Sequence, residues 1–88
     1  MNKYREQIEQ IETEVYYNMG KYSQRLIDFI EHITERIDTE KVYDDMLGAF
    51  QYSIDTYLEI WNPEFRNDIE TLHKIDTVLI NWQKEIES

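Results

Sequence analysis

The residues Tyr4, Ile8, Ile11, Val15, Met19, Tyr22, Leu26, Ile30, Ile33 and Ile37 follow one another at spacings of 4, 3, 4, 4, 3, 4, 4, 3 and 4. This is an eleven-residue repeat held in phase for three rounds. An α-helix has 3.6 residues per turn and an eleven-residue repeat about 3.67, so one straight helix would keep all ten side chains on a single face. The spacing therefore predicts a long first helix over residues 2–37. Asn18-Met19-Gly20 is its weak point, because Gly inside a helix costs roughly 1 kcal/mol relative to Ala and Asn-x-Gly is also a turn signal. A turn would generally reset the phase, and Val15, Met19, Tyr22 and Leu26 cross the glycine without a slip. Continuity is the expectation, and a four-helix bundle broken near Gly20 is the fallback. Pairs at helical spacing, Arg5 with Glu9 and Asp28 with His32 or Arg36, add modest local support.

At Asp38-Thr39-Glu40 the seam ends. Asp38 or Thr39 suits an N-cap, with Glu40 in a first turn where the helix dipole favours a carboxylate. A second helix over 39–61 follows, its stripe made by Tyr43, Met46, Leu47, Phe50, Ile54, Tyr57, Leu58 and Trp61. The single proline, in Asn62-Pro63-Glu64, marks the next boundary, with Asn62 as N-cap and Pro63 as first helical residue. A third helix over 63–87 carries Phe65, Ile69, Leu72, Ile75, Leu79, Trp82 and Ile86, widened by Val78 and Ile80. No hairpin signal, low-complexity run or linker appears. The expected fold is all-α: one domain over 1–88, an antiparallel three-helix bundle with a long N-terminal helix.

Helix lengths then carry an argument about assembly. At 1.5 Å per residue the first helix would be about 54 Å long and the other two about 35 to 38 Å, so they cannot cover it. The uncovered end bears Tyr4, Ile8, Ile11 and Val15, each large side chain forfeiting about 1.5 to 3 kcal/mol if left in water. These four residues are the expected self-association site of a homodimer.

The net charge of −10 comes from 19 acids against nine Lys and Arg. Such a surface repels phosphate backbones and anionic membranes, and it favours a basic protein partner or simply solubility. Half of the excess lies in residues 38–62, with six acids and one base. There Asp44, Gly48, Gln51, Asp55 and Glu59 fall at spacings 4, 3, 4 and 4, a second face beside the apolar stripe. With Asp45 and Tyr52 they form the candidate partner-binding set, the glycine offering close backbone approach and the tyrosine an apolar ring with a polar handle. Tyr16 and Tyr17 also fall off the core stripes.

Catalytic chemistry is hard to write in this chain. There is no cysteine, Gly20 and Gly48 stand alone outside any phosphate-binding loop, and Ser23, Ser53 and Ser88 lie in no nucleophile elbow. Glu70-x-x-His73 has the spacing of a di-iron carboxylate motif, but such sites need two copies, and Phe29 stands three residues before His32. Ordinary boundary residues account better for the pair. Asp44-Asp45 point about 100° apart and do not converge on a cation. No enzyme, cofactor or metal is expected. The N-terminus alternates charged and apolar residues with no continuous apolar run, so the cytoplasm is the default compartment. The expected function is a non-enzymatic acidic module, an inhibitor, antidote or adaptor acting on a basic protein, in its sharper form presenting carboxylates where phosphates would sit. A structural oligomerisation domain is the alternative, and a metal-binding bundle a more distant one.

Overall fold

Asn2 starts the first helix by accepting hydrogen bonds from the backbone N–H groups of Tyr4 at 2.8 Å and Arg5 at 3.3 Å, a cap worth about 1 kcal/mol. The computed structural model describes residues 2–60 and 65–88. Among them are four α-helices and no strand: α1 (Lys3–Tyr17), α2 (Gln24–Thr39), α3 (Asp44–Ile60) and α4 (Arg66–Glu87), with a 3-10 turn at Met19–Lys21.

The long first helix of the sequence reading is thus two helices, and the three-helix bundle is a four-helix arrangement. Asn18 ends α1 in a non-helical conformation (φ −130°, ψ 39°), and its side-chain amide donates to the Glu14 carbonyl at 2.9 Å. Ser23 begins α2, its hydroxyl accepting from Leu26 N–H at 3.1 Å. The physical reason for the break lies in burial. A straight helix would leave its first turns in water, whereas the folded-back hairpin puts Ile8 and Val15, each 2% exposed, into one core with Ile30, Ile33 and Ile37. Each of the two helices keeps an inward stripe of its own, Ile8 and Val15 on α1 and Leu26, Ile30, Ile33 and Ile37 on α2. Antiparallel pairing of the two is fixed by Arg5, which donates to the Ile37 carbonyl at 2.7 Å, and by Thr34, which donates to Glu12 at 2.7 Å.

The remaining helices alternate in direction. Phe29 and Arg36 of α2 meet Tyr57 and Phe50 of α3. Gln83 of α4 meets Asp44 and Gln51 of α3, and Trp82 stacks on Tyr4 of α1 with ring centroids 6.0 Å apart. Each helix therefore packs beside its chain neighbours and α4 closes back on α1, an up-down-up-down order. The chain measures 37 × 26 × 18 Å, the long axis matching the roughly 33 Å of α4.

Other boundaries move as well. Asp38 and Thr39 do not cap a new helix but finish α2, where the Thr39 hydroxyl donates to the Glu35 carbonyl at 2.8 Å and Arg36 pairs with Glu40 at 2.8 Å. Residues 41–43 are a non-helical link, so Tyr43 stands 55% exposed before α3 and not in its stripe. Trp61 and the expected start of the last helix at Asn62, Pro63 and Glu64 lie outside the described residues. Phe65 is extended (φ −99°, ψ 123°), so the described helix begins at Arg66. Phe65 and Ile86, expected in the core, are 38% and 41% exposed.

Candidate protein-binding surface

The outward side of α3 is assembled by its own amphipathicity. Met46, Leu47, Phe50, Ile54 and Tyr57 turn into the core, which leaves Asp45, Tyr52 and Glu59, seven residues apart, along the opposite line. Asp44 and Asp55 flank that line, and all five side chains are exposed, Tyr52 by 74%. Seven residues of helix advance about 10 Å, so a carboxylate lies about that far to either side of the Tyr52 ring. The helix holds four carboxylates and no Lys, Arg or His.

The structure separates two residues from this set. Gly48 and Gln51 turn toward α4, where the Gln51 amide donates to Gln83 Oε1 at 2.8 Å and Gln83 Nε2 donates to the Asp44 carbonyl at 3.0 Å. A Cβ on Gly48 would meet Gln83 Nε2 at 3.3 Å, so the glycine accommodates the chain's own fourth helix. Asp45 Oδ1 accepts from Met46 N–H at 2.9 Å, which orients its carboxylate at the start of α3.

Asp76, which the sequence reading did not single out, joins the surface from α4. It sits two turns before Gln83 on the α3-facing edge, and its Oδ1 is buried with no hydrogen-bond partner. Burial pushes its carboxyl above the ordinary range, the charge of Asp55 adds to the rise, and His73 opposes it. The acidity of this region therefore extends across the α3–α4 seam. No sequence signal distinguished Asp76 from other helix-face acids, because its setting depends on α3.

The expected self-association residues sit elsewhere. Ile8 and Val15 are buried within the chain, and Tyr4 and Ile11 are partly buried against the same core. The overhang that motivated a dimer through them does not exist in this fold. Between α1 and α4 runs a shallow groove lined by Gln7, Gln10, Ile11, Glu14, Lys74, Thr77 and Val78.

A second cluster, also unforeseen, is interior. Asp68, in the first turn of α4, has 0% exposure. Its Oδ1 accepts from Ser23 N–H at 3.1 Å, its Oδ2 lies 3.4 Å from the Tyr57 hydroxyl, and that hydroxyl is 3.1 Å from Ser23 Oγ. Burial raises the Tyr57 phenol above its ordinary value; the Ser23 hydrogen bond opposes this and the Asp68 charge reinforces it. The cluster ties α3, α4 and the α1–α2 turn together. Its partners hold the carboxylate in place.

Glu70 and His73 are both exposed on α4, and His32 lies edge-on to Phe50. Among the described residues no group of three or more His, Cys, Asp or Glu could hold a metal ion, and no helix is long and apolar enough to cross a membrane. No family model, no curated protein and no solved structure matches the chain.

Proposed function

We propose that this chain is a non-enzymatic binding module that engages a basic protein through the outward side of α3. The observation that carries the reading is the placement of Tyr52, 74% exposed, on a helix with four carboxylates and no cation. An exposed aromatic ring is the kind of side chain that anchors interfaces, and carboxylates around it steer a cationic partner and set its register. Inhibition or adaptation of a nucleic-acid-binding protein fits this chemistry, since the surface such a protein turns to phosphates is itself basic. Cytoplasmic action and the absence of a cofactor belong to the same proposal.

The test compares capture from the native host by the wild-type chain and by a variant carrying Asp45→Lys, Asp55→Lys and Glu59→Lys. Basic proteins retained by the first, lost by the second and released as salt rises support the reading. Identical retention by both, or retention indifferent to salt, sinks it.

A further inference from the structure

An apolar register runs unbroken across the turn between α1 and α2, and the folded chain uses it at Val15, Tyr22 and Leu26 but not at Met19. Val15, Met19, Tyr22 and Leu26 are spaced 4, 3 and 4, as on one straight helix, yet Met19 stands 46% exposed in the turn. A turn serving only to reverse the chain has no need of that phase. Nor does the turn require a glycine at position 20, because the φ of Gly20 is outside the left-handed region and an added Cβ would meet nothing within 4 Å. A few polar contacts hold the turn in place: the Ser23 cap on Leu26 N–H, Ser23 N–H on Asp68 at 3.1 Å, and the Asn67 amide on the Lys21 carbonyl at 3.3 Å.

We propose that residues 18–23 are a hinge, and that α1 and α2 straighten into one continuous helix that exchanges α1 with a second copy of this chain. A helix from Lys3 to Thr39 would be about 55 Å long, against a long axis of 37 Å for the folded chain. The straightened α1 cannot stay on its own bundle. In a reciprocal pair it occupies, on the second copy, the place it leaves at home: Ile8 and Val15 return to an equivalent core and Tyr4 to the face of an equivalent tryptophan. Only the hinge differs. It gives up the contacts of Ser23 with Asp68 and Tyr57 and of Lys21 with Asn67, and gains continuous helical hydrogen bonds. Such exchange closes as an isologous dimer and needs no new surface. Repulsion between two chains of charge −10 opposes it, so added salt favours the exchanged form. The inference is independent of the partner-binding role of α3.

The experiment uses the full chain with Tyr16→Cys and Glu31→Cys, whose native side chains touch across α1 and α2. The natural sequence has no cysteine to interfere. A short bismaleimide joins the two within one closed chain, whereas in the straightened helix they lie about 22 Å apart and link only between chains. Adding Gly20→Ala favours a helical hinge by at most about five-fold per chain, and so at most on the order of thirty-fold for a dimer, the closed turn also accepting a Cβ there. Light scattering should then show a dimer at lower concentration, with interchain products on a denaturing gel. Inserting two glycines after Gly20 should restore the monomer. A Gly20→Ala chain that stays monomeric at millimolar concentration, or a dimer whose cross-links remain within chains, overturns the proposal.

Discussion

The hydroxyl of Tyr57, on α3, lies 3.4 Å from Oδ2 of Asp68, a carboxylate of α4 with no exposed surface. Both also reach Ser23, so the pair joins the turn between α1 and α2 to the opposite half of the bundle. Asp68→Ala removes the acceptor of the Ser23 N–H and of the Tyr57 hydroxyl at once, and is expected to destabilise the fold by about 3 kcal/mol. Tyr57→Phe removes one contact and should cost about 1 kcal/mol. Urea unfolding followed by circular dichroism measures both. Equal losses from the two substitutions would show that Asp68 has no role beyond its contact with Tyr57.

Asp76 predicts a pH effect of definite sign. Its carboxyl is raised above 3.8 in the folded chain by burial first and Asp55 second, so the folded state favours the protonated form. That contribution is full below the unfolded value and is lost as pH rises through the folded one. Asp76→Asn should therefore stabilise the protein at pH 7, by about 0.5 kcal/mol after allowance for solvent screening at this partly exposed edge. The advantage should shrink as pH falls toward the unfolded carboxyl range. Urea midpoints at pH 7 and pH 4 provide the comparison, and an equal gain at both would refute the desolvation account.

Gly48 and Tyr52 should behave oppositely in binding. Gly48→Ala gains about 1 kcal/mol of helix propensity and disturbs the Gln83 amide 3.3 Å from the new Cβ, so its net effect on stability is expected to stay within about 0.5 kcal/mol. It faces α4 and should leave partner affinity unchanged. Tyr52→Ala leaves the core untouched and should weaken partner binding by 2 kcal/mol or more if the ring is the anchor. Calorimetric titration with the captured partner separates the two.

The Tyr4 ring stacks on Trp82, itself only 4% exposed. Tyr4→Ala should cost about 2 kcal/mol through lost apolar burial and ring contact. It should also open Trp82 to water, and tryptophan emission should move to longer wavelength. Unchanged emission would mean that α1 and α4 close over the gap.

The core was largely legible in the sequence, because helical periodicity is written in the spacing of apolar residues. Leu26, Ile30, Ile33, Ile37, Leu47, Phe50, Ile54, Leu72, Ile75, Leu79 and Trp82 are all buried as their stripes imply. Boundaries were less legible. Asp38 and Thr39 look like a helix start, yet they end α2, since a short polar side chain serves either end and only the path of the chain chooses. The candidate surface was partly readable. Exposure of Asp45, Tyr52, Asp55 and Glu59 follows from α3's own stripe, while Gly48 and Gln51 share that periodicity and differ only because α4 lies against them.

The sequence by itself determined that this chain is helical, acidic and striped from Tyr4 to Ile37, because these are properties of composition and local spacing. It did not decide whether that stripe is one helix or two. Both arrangements satisfy its phase, and tertiary structure chose between them by burial: folding back at Asn18 lets Ile8 and Val15 share a core with Ile33 and Ile37 that a straight helix in a lone chain could not reach. The buried Asp68 and the desolvated setting of Asp76 belong to the same level, since each is defined by a neighbour from another helix.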